Sequence, residues 1–188
     1  MIVNYYPGGS VNQIGSPIRY TGEYYVKIDP EDVRESNWEC CLLSSGTLTT
    51  AKSVIVDIWM VGGGGGGGGS QYLRGAPQGS SMVYLPANGG GGGGSGYSAS
   101  ASGITLERGE SYSAIVGAGG NGGRNELGNL PTNGGDGGIT QFASDVPGGF
   151  SYSANGGSGG GAAGDVAGGI GGSGGSIGGS AGNYNSPE

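Results

Sequence analysis

The chain has 188 residues, 51 of them glycine, with 11% charged residues, a formal net charge of −7 and no histidine. Glycine at this level, roughly four times the ordinary frequency of about 7%, leaves too little apolar side chain for an ordinary core throughout one domain-length chain. Only seven Lys and Arg give no electrostatic footprint for nucleic acid or an anionic membrane. No stretch approaches the roughly 18 apolar residues of a membrane-spanning helix, and the acidic balance reads as solubility.

Residues 1–20, rich in Asn, Tyr, Pro and Gly, read as an irregular arm. The opening Met1-Ile-Val-Asn-Tyr-Tyr-Pro-Gly-Gly lacks the basic and apolar regions of a secretory signal. Residues 21–61 have ordinary globular composition and read as a β-rich segment. Tyr24–Ile28 is a strand; Asp29 as N-cap and Pro30 at the first helical position predict one or two helical turns over 29–35. Trp38–Leu43 and Gly46–Thr50 read as strands. Val54–Val61, β-branched and almost continuously apolar, reads as the strongest and most central strand, with Asp57 exposing one face at that point. Cys40 and Cys41 are neighbours, so on a strand they face opposite ways. They read as two reduced, core-like thiols rather than a redox pair.

Eight glycines, Gly62–Gly69, then follow directly on that strand. Fixing a residue's backbone costs about 1–2 kcal/mol, and glycine loses the most freedom of all. The run is therefore either a floppy linker or a segment whose packing forbids any side chain. Phase favours packing across residues 62–162, read as a glycine-rich domain. Ala118, Asn121 and Arg124 are three apart, as are Asn133, Asp136 and Ile139, and Ile170, Ser173 and Ser176. A polyproline-II-type helix has three residues per turn, so these side chains fall on one edge and leave two edges bare. Its unpaired backbone groups must then bond to neighbouring helices. Gly62–Gly69 and Gly89–Gly94, bare on every edge, belong inside such a stack; the Gly-Gly-X runs belong outside it. Gly96–Ser102 and Ser111–Val116 read as two strands about a turn at Leu106–Gly109. For the glycine- and serine-rich segment 163–188, a flexible linker explains the sequence about equally well.

Catalytic constellations are missing from the sequence. Without histidine there is no Ser-His-Asp or Cys-His arrangement and no His general base or zinc ligand. No Gly-Lys-Ser/Thr follows a glycine run, which removes a P-loop. Asp136 and Asp165 lie outside the frame of a calcium-binding glycine nonapeptide. Glu31/Asp32 and Glu107/Glu110 read as solvated turns. The expectation is a protein that is not an enzyme, with no cofactor and no metal site. What remains are the insertions between glycine runs, where binding functions concentrate on a rigid scaffold. Residues 71–88 offer Tyr72, Leu73, Arg74, Met82 and Tyr84; residues 124–132 offer Arg124, Leu127 and Leu130; residues 139–153 offer Phe150 and Tyr152, with Phe142 beside them. The same aromatic residues read equally well as caps on the stack or the sheet.

Val54-Ile-Val-Asp-Ile-Trp-Met-Val-Gly-Gly-Gly-Gly, Gly92-Gly-Gly-Ser-Gly-Tyr-Ser, the segment from Leu106-Glu-Arg-Gly to Ala118-Gly-Gly and Ala154-Asn-Gly-Gly-Ser-Gly-Gly-Gly resemble the glycine-rich domain family of phages, prophages and bacteria. The resemblance covers roughly residues 44–162. It implies a mainly β protein, a small antiparallel β-domain or sandwich joined to a stack of polyglycine-II helices with little α-helix. More loosely, the chain resembles the fibre-tip adhesins of T-even-like phages. Their variable loops, at the end of a polyglycine sandwich, contact the bacterial receptor. This chain is shorter and does not alternate strictly between glycine motif and loop. A similar module also occurs in some animal receptor kinases. The resemblance implies a virion appendage protein, a tail-tip or tail-fibre adhesin released by lysis. Its partners would be other virion proteins and a bacterial surface protein or glycan. It would bind no nucleic acid, insert into no membrane, and could form oligomers. The alternatives are a structural head or tail decoration or adaptor protein, and a non-viral bacterial surface protein.

Overall fold

The computed structural model describes residues 18–28, 38–71, 77–78, 81–82, 88–124, 130–164 and 169–175. The helical turns expected over 29–35 and most of the N-terminal arm lie outside these residues. The chain divides into two compact units interleaved in sequence: residues 1–60, 99–116 and 141–153 form one; residues 61–98, 117–140 and 154–188 form the other. The fold is mainly β, its paired strands antiparallel, with no α-helix among the described residues.

The strands are β1 (Ile18–Tyr20), β2 (Tyr24–Ile28), β3 (Trp38–Leu42), β4 (Gly46–Thr50), β5 (Val54–Val61), β6 (Pro77–Gln78), β7 (Ser81–Met82), β8 (Ser98–Leu106), β9 (Ser111–Ile115), β10 (Thr140–Ser144) and β11 (Ser151–Ala154). A five-stranded sheet has the order β1-β4-β9-β10-β11, while β2-β3, β5-β8 and β6-β7 are two-stranded. Ile18–Tyr20, read from sequence as the end of an irregular arm, is the edge strand of the large sheet: Ile18 pairs with Thr50 and is buried. Three residues are too few to show a period of two.

Alternation explains the sheet's core. Leu48 lies opposite Tyr112, and Ala114 opposite Phe142; all four are buried. Tyr112 stacks on Phe142 and on Phe150, with centroids 5.9 and 5.7 Å apart, and Phe150 stacks in turn on Tyr152 at 5.3 Å. Such pairs add about 0.5–1.5 kcal/mol each beyond burial. The Tyr112 hydroxyl accepts the Glu107 N–H at 2.6 Å and donates to the Glu110 carboxylate at 3.2 Å. The Glu107/Glu110 pair is thus part of a turn, where Gly109 has φ +78°.

Val54–Val61 is not a central strand. Among the described residues it pairs only with β8, and one face leaves Ile55 at 74% and Trp59 at 58% exposure. A continuous apolar run has both faces apolar whatever covers them, so sequence could not separate these cases. Asp57 faces the same way and accepts the N–H of Gly103 at 2.9 Å; Gly103 stands at φ +69° in the middle of β8. A residue kinked into the left-handed region cannot present its N–H to the ladder as its neighbours do, and the Asp57 carboxylate takes it instead. The strands flanking Glu107–Glu110 are not a hairpin with each other: β8 pairs with β5, and β9 lies between β4 and β10.

On β3 the two cysteines face opposite ways. Cys40 is buried and Cys41 half-buried, both free. Burial, and then the neighbouring Cys41, push the Cys40 thiol up to about 12.

The second unit is a lattice of glycine runs. Run 1 (62–71) donates to run 2 (88–97) from Gly62, Gly65, Gly68 and Gln71, and to run 4 (130–139) from Gly63, Gly66 and Gly69. It accepts from Gly120 and Gly123 of run 3 (117–124), and from Gly157, Gly160 and Ala163 of run 5 (155–164). Run 6 (169–175) donates to run 2 from Gly169, Gly172 and Gly175 and accepts from Ser158 and Gly161 of run 5. Every series advances by three residues, the turn length of a polyproline-II-type helix. The complete set of pairs closes as two rows of three, run 3–run 1–run 2 over run 4–run 5–run 6. Odd-numbered runs go one way and even-numbered runs the other. Run 1 sits mid-row with two of its three bare edges covered, while Gly64 and Gly67 on the third are exposed rather than interior. Run 2, equally bare, ends its row, and run 5 with Asn155 and Ser158 takes the other middle place. Run 5 can do so because only two of its three edges meet runs 1, 2 and 4.

The need for glycine is steric. A Cβ on Gly62, Gly65 or Gly68 would run into the carbonyls of Asn155, Ser158 or Gly161 in run 5. One on Gly63, Gly66 or Gly69 would meet those of Ala118, Asn121 or Arg124 in run 3.

Candidate interaction surface

Alternating direction brings three chain connections to one end of the lattice. Run 1 ends and run 2 begins where the Gln71 N–H donates to Asn88 O at 3.0 Å. Run 3 ends and run 4 begins where Thr132 N–H donates to Arg124 O at 3.2 Å, answered by Arg124 N–H to Thr132 Oγ1 at 2.8 Å. Run 5 ends beside both: Ala163 N–H donates to Gly69 O and the Asn88 side-chain amide to Gly164 O at 2.8 Å. Gly69 N–H reaches Thr132 O, and Gly169, opening run 6, donates to Gly89 O. The segments 72–87, 125–129 and 165–168 therefore all leave and re-enter the lattice at this end.

The candidate residues divide accordingly. Arg124 and Leu130 stand at the shared end, both exposed, Leu130 at 77%. Tyr72, Leu73, Arg74, Tyr84 and Leu127 lie outside the described residues, as does the side chain of Met82, whose backbone is in β7. Phe150 and Tyr152 stack on one another within the sheet-bearing unit.

Sequence reading missed Asn88. It is 5% exposed and ties the start of run 2 to the end of run 5. The available signal was its position directly before a bare glycine run, where only a polar side chain could satisfy a terminal carbonyl. Asn133 and Asp136 are exposed on row two, as their phase predicts, and take the N–H groups of Ala162 and Gly159 at 2.8 Å. No group of three His, Cys, Asp or Glu able to hold a metal occurs among the described residues.

The match to known families follows the lattice rather than the whole chain. Residues 43–188 match the description of a glycine-rich domain. The chain belongs to the glycine-rich domain family. No individual curated protein and no solved structure matches the chain. In this glycine-rich domain the matched segment holds all six runs together with β4 to β11.

Proposed function

We propose that the protein is a phage virion appendage, a tail-tip or tail-fibre adhesin that presents the segments 72–87, 125–129 and 165–168 to a bacterial surface protein or glycan. One observation carries this reading: all three segments are anchored at the same end of the glycine lattice. A lattice whose inner edges leave no room for side chains is a stiff platform, and it holds the flanks of three segments at one end. Tyr72, Arg74 and Tyr84 supply the aromatic and guanidinium groups that dominate binding surfaces. Phe150 and Tyr152 also stack within the sheet-bearing unit, so the adsorption variant leaves them in place.

The test is adsorption. A variant carrying Tyr72→Ala, Arg74→Ala and Tyr84→Ala is expected to fold and assemble normally and to attach to host cells at least tenfold more slowly. Unchanged attachment by correctly assembled particles would remove the adhesin reading. The exposed strand face of Ile55 and Trp59 favours a second reading, a decoration or adaptor protein packed against other virion subunits. Immunogold labelling separates the two: label at the distal fibre or tail tip fits the adhesin, and label along the capsid or tail shaft fits the structural component.

A further inference from the structure

The outer edges of the two rows are built differently. Row two turns Asn133, Asp136, Asn155, Ser158, Ile170 and Ser173 outward. Asn133 and Asp136 use their oxygens to take outward N–H groups of run 5. On row one the corresponding positions of runs 1 and 3 are Gly64, Gly67, Gly119 and Gly122, all exposed. Here glycine is not imposed by the chain's own packing. A Cβ on Gly64 or Gly67 would meet nothing nearer than Gly94 O at 3.7 Å or Gly91 O at 3.6 Å; on Gly119 or Gly122 the nearest atoms are Gly64 O at 3.8 Å and Gly67 O at 4.0 Å. The N–H groups of these four glycines also have no partner among the described residues. Four positions thus keep the residue that is entropically worst, and they line up with a periodic set of open donors.

We infer that this glycine face docks against the same face of a second copy of the chain, continuing the lattice across a two-fold axis. The occupant follows from the lattice itself. Inside the unit, a bare glycine edge is covered by another run held by N–H···O=C bonds every third residue, and both relative directions occur: run 1 is antiparallel to run 2 and parallel to run 5. A two-fold partner running the opposite way therefore meets a pairing geometry the unit already uses. A self-complementary patch related by a two-fold axis closes at two copies, and the side chains on row two stop a further layer from adding on the other side. Eight residues at a rise of about 3.1 Å make the face ~25 Å long. With runs roughly 5 Å apart, as between strands, the area falls well short of the roughly 800 Å² per partner of a stable complex. The dimer is therefore weak in dilute solution and forms where copies are concentrated, as in an assembly. This inference does not depend on the adhesin reading.

The test is sedimentation equilibrium of the full chain from about 1 μM to 1 mM. The expected result is a monomer at the low end and a monomer–dimer equilibrium at the high end. A Gly64→Val, Gly67→Val variant, whose Cβ atoms the monomer has room for, should lose at least tenfold in association while keeping its thermal melting point within a few degrees. Asp136→Ala, on the opposite face, should associate as the parent does. A monomer throughout the range, or a glycine variant that dimerises like the parent, would overturn the inference; so would loss of dimer in Asp136→Ala alone.

Discussion

Gly65→Ala puts the steric reading of the lattice at risk in a single methyl group. At an unstrained, open site, Gly→Ala stabilises by about 0.4–1 kcal/mol through the unfolded state. At Gly65 the new Cβ runs into the Ser158 carbonyl of run 5, so run 5 must move away. Overpacking of this kind costs about 1–3 kcal/mol. The shift also strains the bonds on either side, Gly157 N–H to Gly63 O at 2.9 Å and Gly160 N–H to Gly66 O at 2.8 Å, each with a net worth of about 0.5–1.5 kcal/mol. Set against the entropic gain, the balance is a loss of roughly 2–4 kcal/mol. At about 2–4 °C per kcal/mol for a chain of this size, the melting point should fall by roughly 5–15 °C. Gly67→Ala, two residues away in the same run, has its Cβ 3.6 Å from the nearest atom and should raise the melting point by about 1–3 °C. Both are read by thermal denaturation at micromolar protein, followed by circular dichroism. Equal effects at the two positions would refute the reasoning, since a linker cannot distinguish them.

Three further outcomes follow from the sheet-bearing unit. Tyr112→Phe, which removes the hydroxyl serving Glu107 N–H and Glu110, should cost about 1–3 kcal/mol in urea unfolding. Gly103→Ala should cost about 1–2 kcal/mol although nothing lies within 4 Å of the new methyl, because its φ of +69° is strained for an L side chain; Gly103→Asn should recover part of the loss. For the cysteines, a thiol reagent at pH 8 should label Cys41 and leave Cys40 unmodified in the folded protein. The Cys40 thiol is raised to about 12 by burial, so it contributes stability that is complete below the unfolded thiol's pKa of about 8.5. That contribution declines from there to about 12, with a slope of at most ~1.4 kcal/mol per pH unit. Cys40→Ala should flatten this part of the alkaline stability profile.

What could be read in the sequence was what local chemistry alone decides. The strands at 24–28, 38–42, 46–50 and 54–61 announced themselves through β-branched and aromatic residues. The outward phase of Asn121, Asp136 and Ser173 followed from a three-residue period. Ser151–Ala154 and Thr140–Ser144 were read as an insertion because their serines and alanines carry little strand preference; the sheet forms there through the stacking of Phe142 and Phe150 on Tyr112. Neighbour order in the lattice was not legible, since bare glycine runs are chemically identical. Run 2 and run 5 exchange the places their compositions suggest, and only pairing across the chain shows it. Nor did the sequence show that Phe150, offered within the candidate loop at 139–153, stacks on Tyr112 and Tyr152.

The central claim is a lattice of polyglycine helices, and residue-resolved amide hydrogen exchange across Gly62–Gly69 tests it most directly. Gly62, Gly63, Gly65, Gly66, Gly68 and Gly69 donate within the lattice, whereas Gly64 and Gly67 have no partner among the described residues. In the monomer the expected pattern is slow exchange at the former six and fast exchange at every third residue, Gly64 and Gly67. Uniformly fast exchange along the run, as in a flexible linker, would contradict the fold and with it the stiff platform on which the proposed function rests.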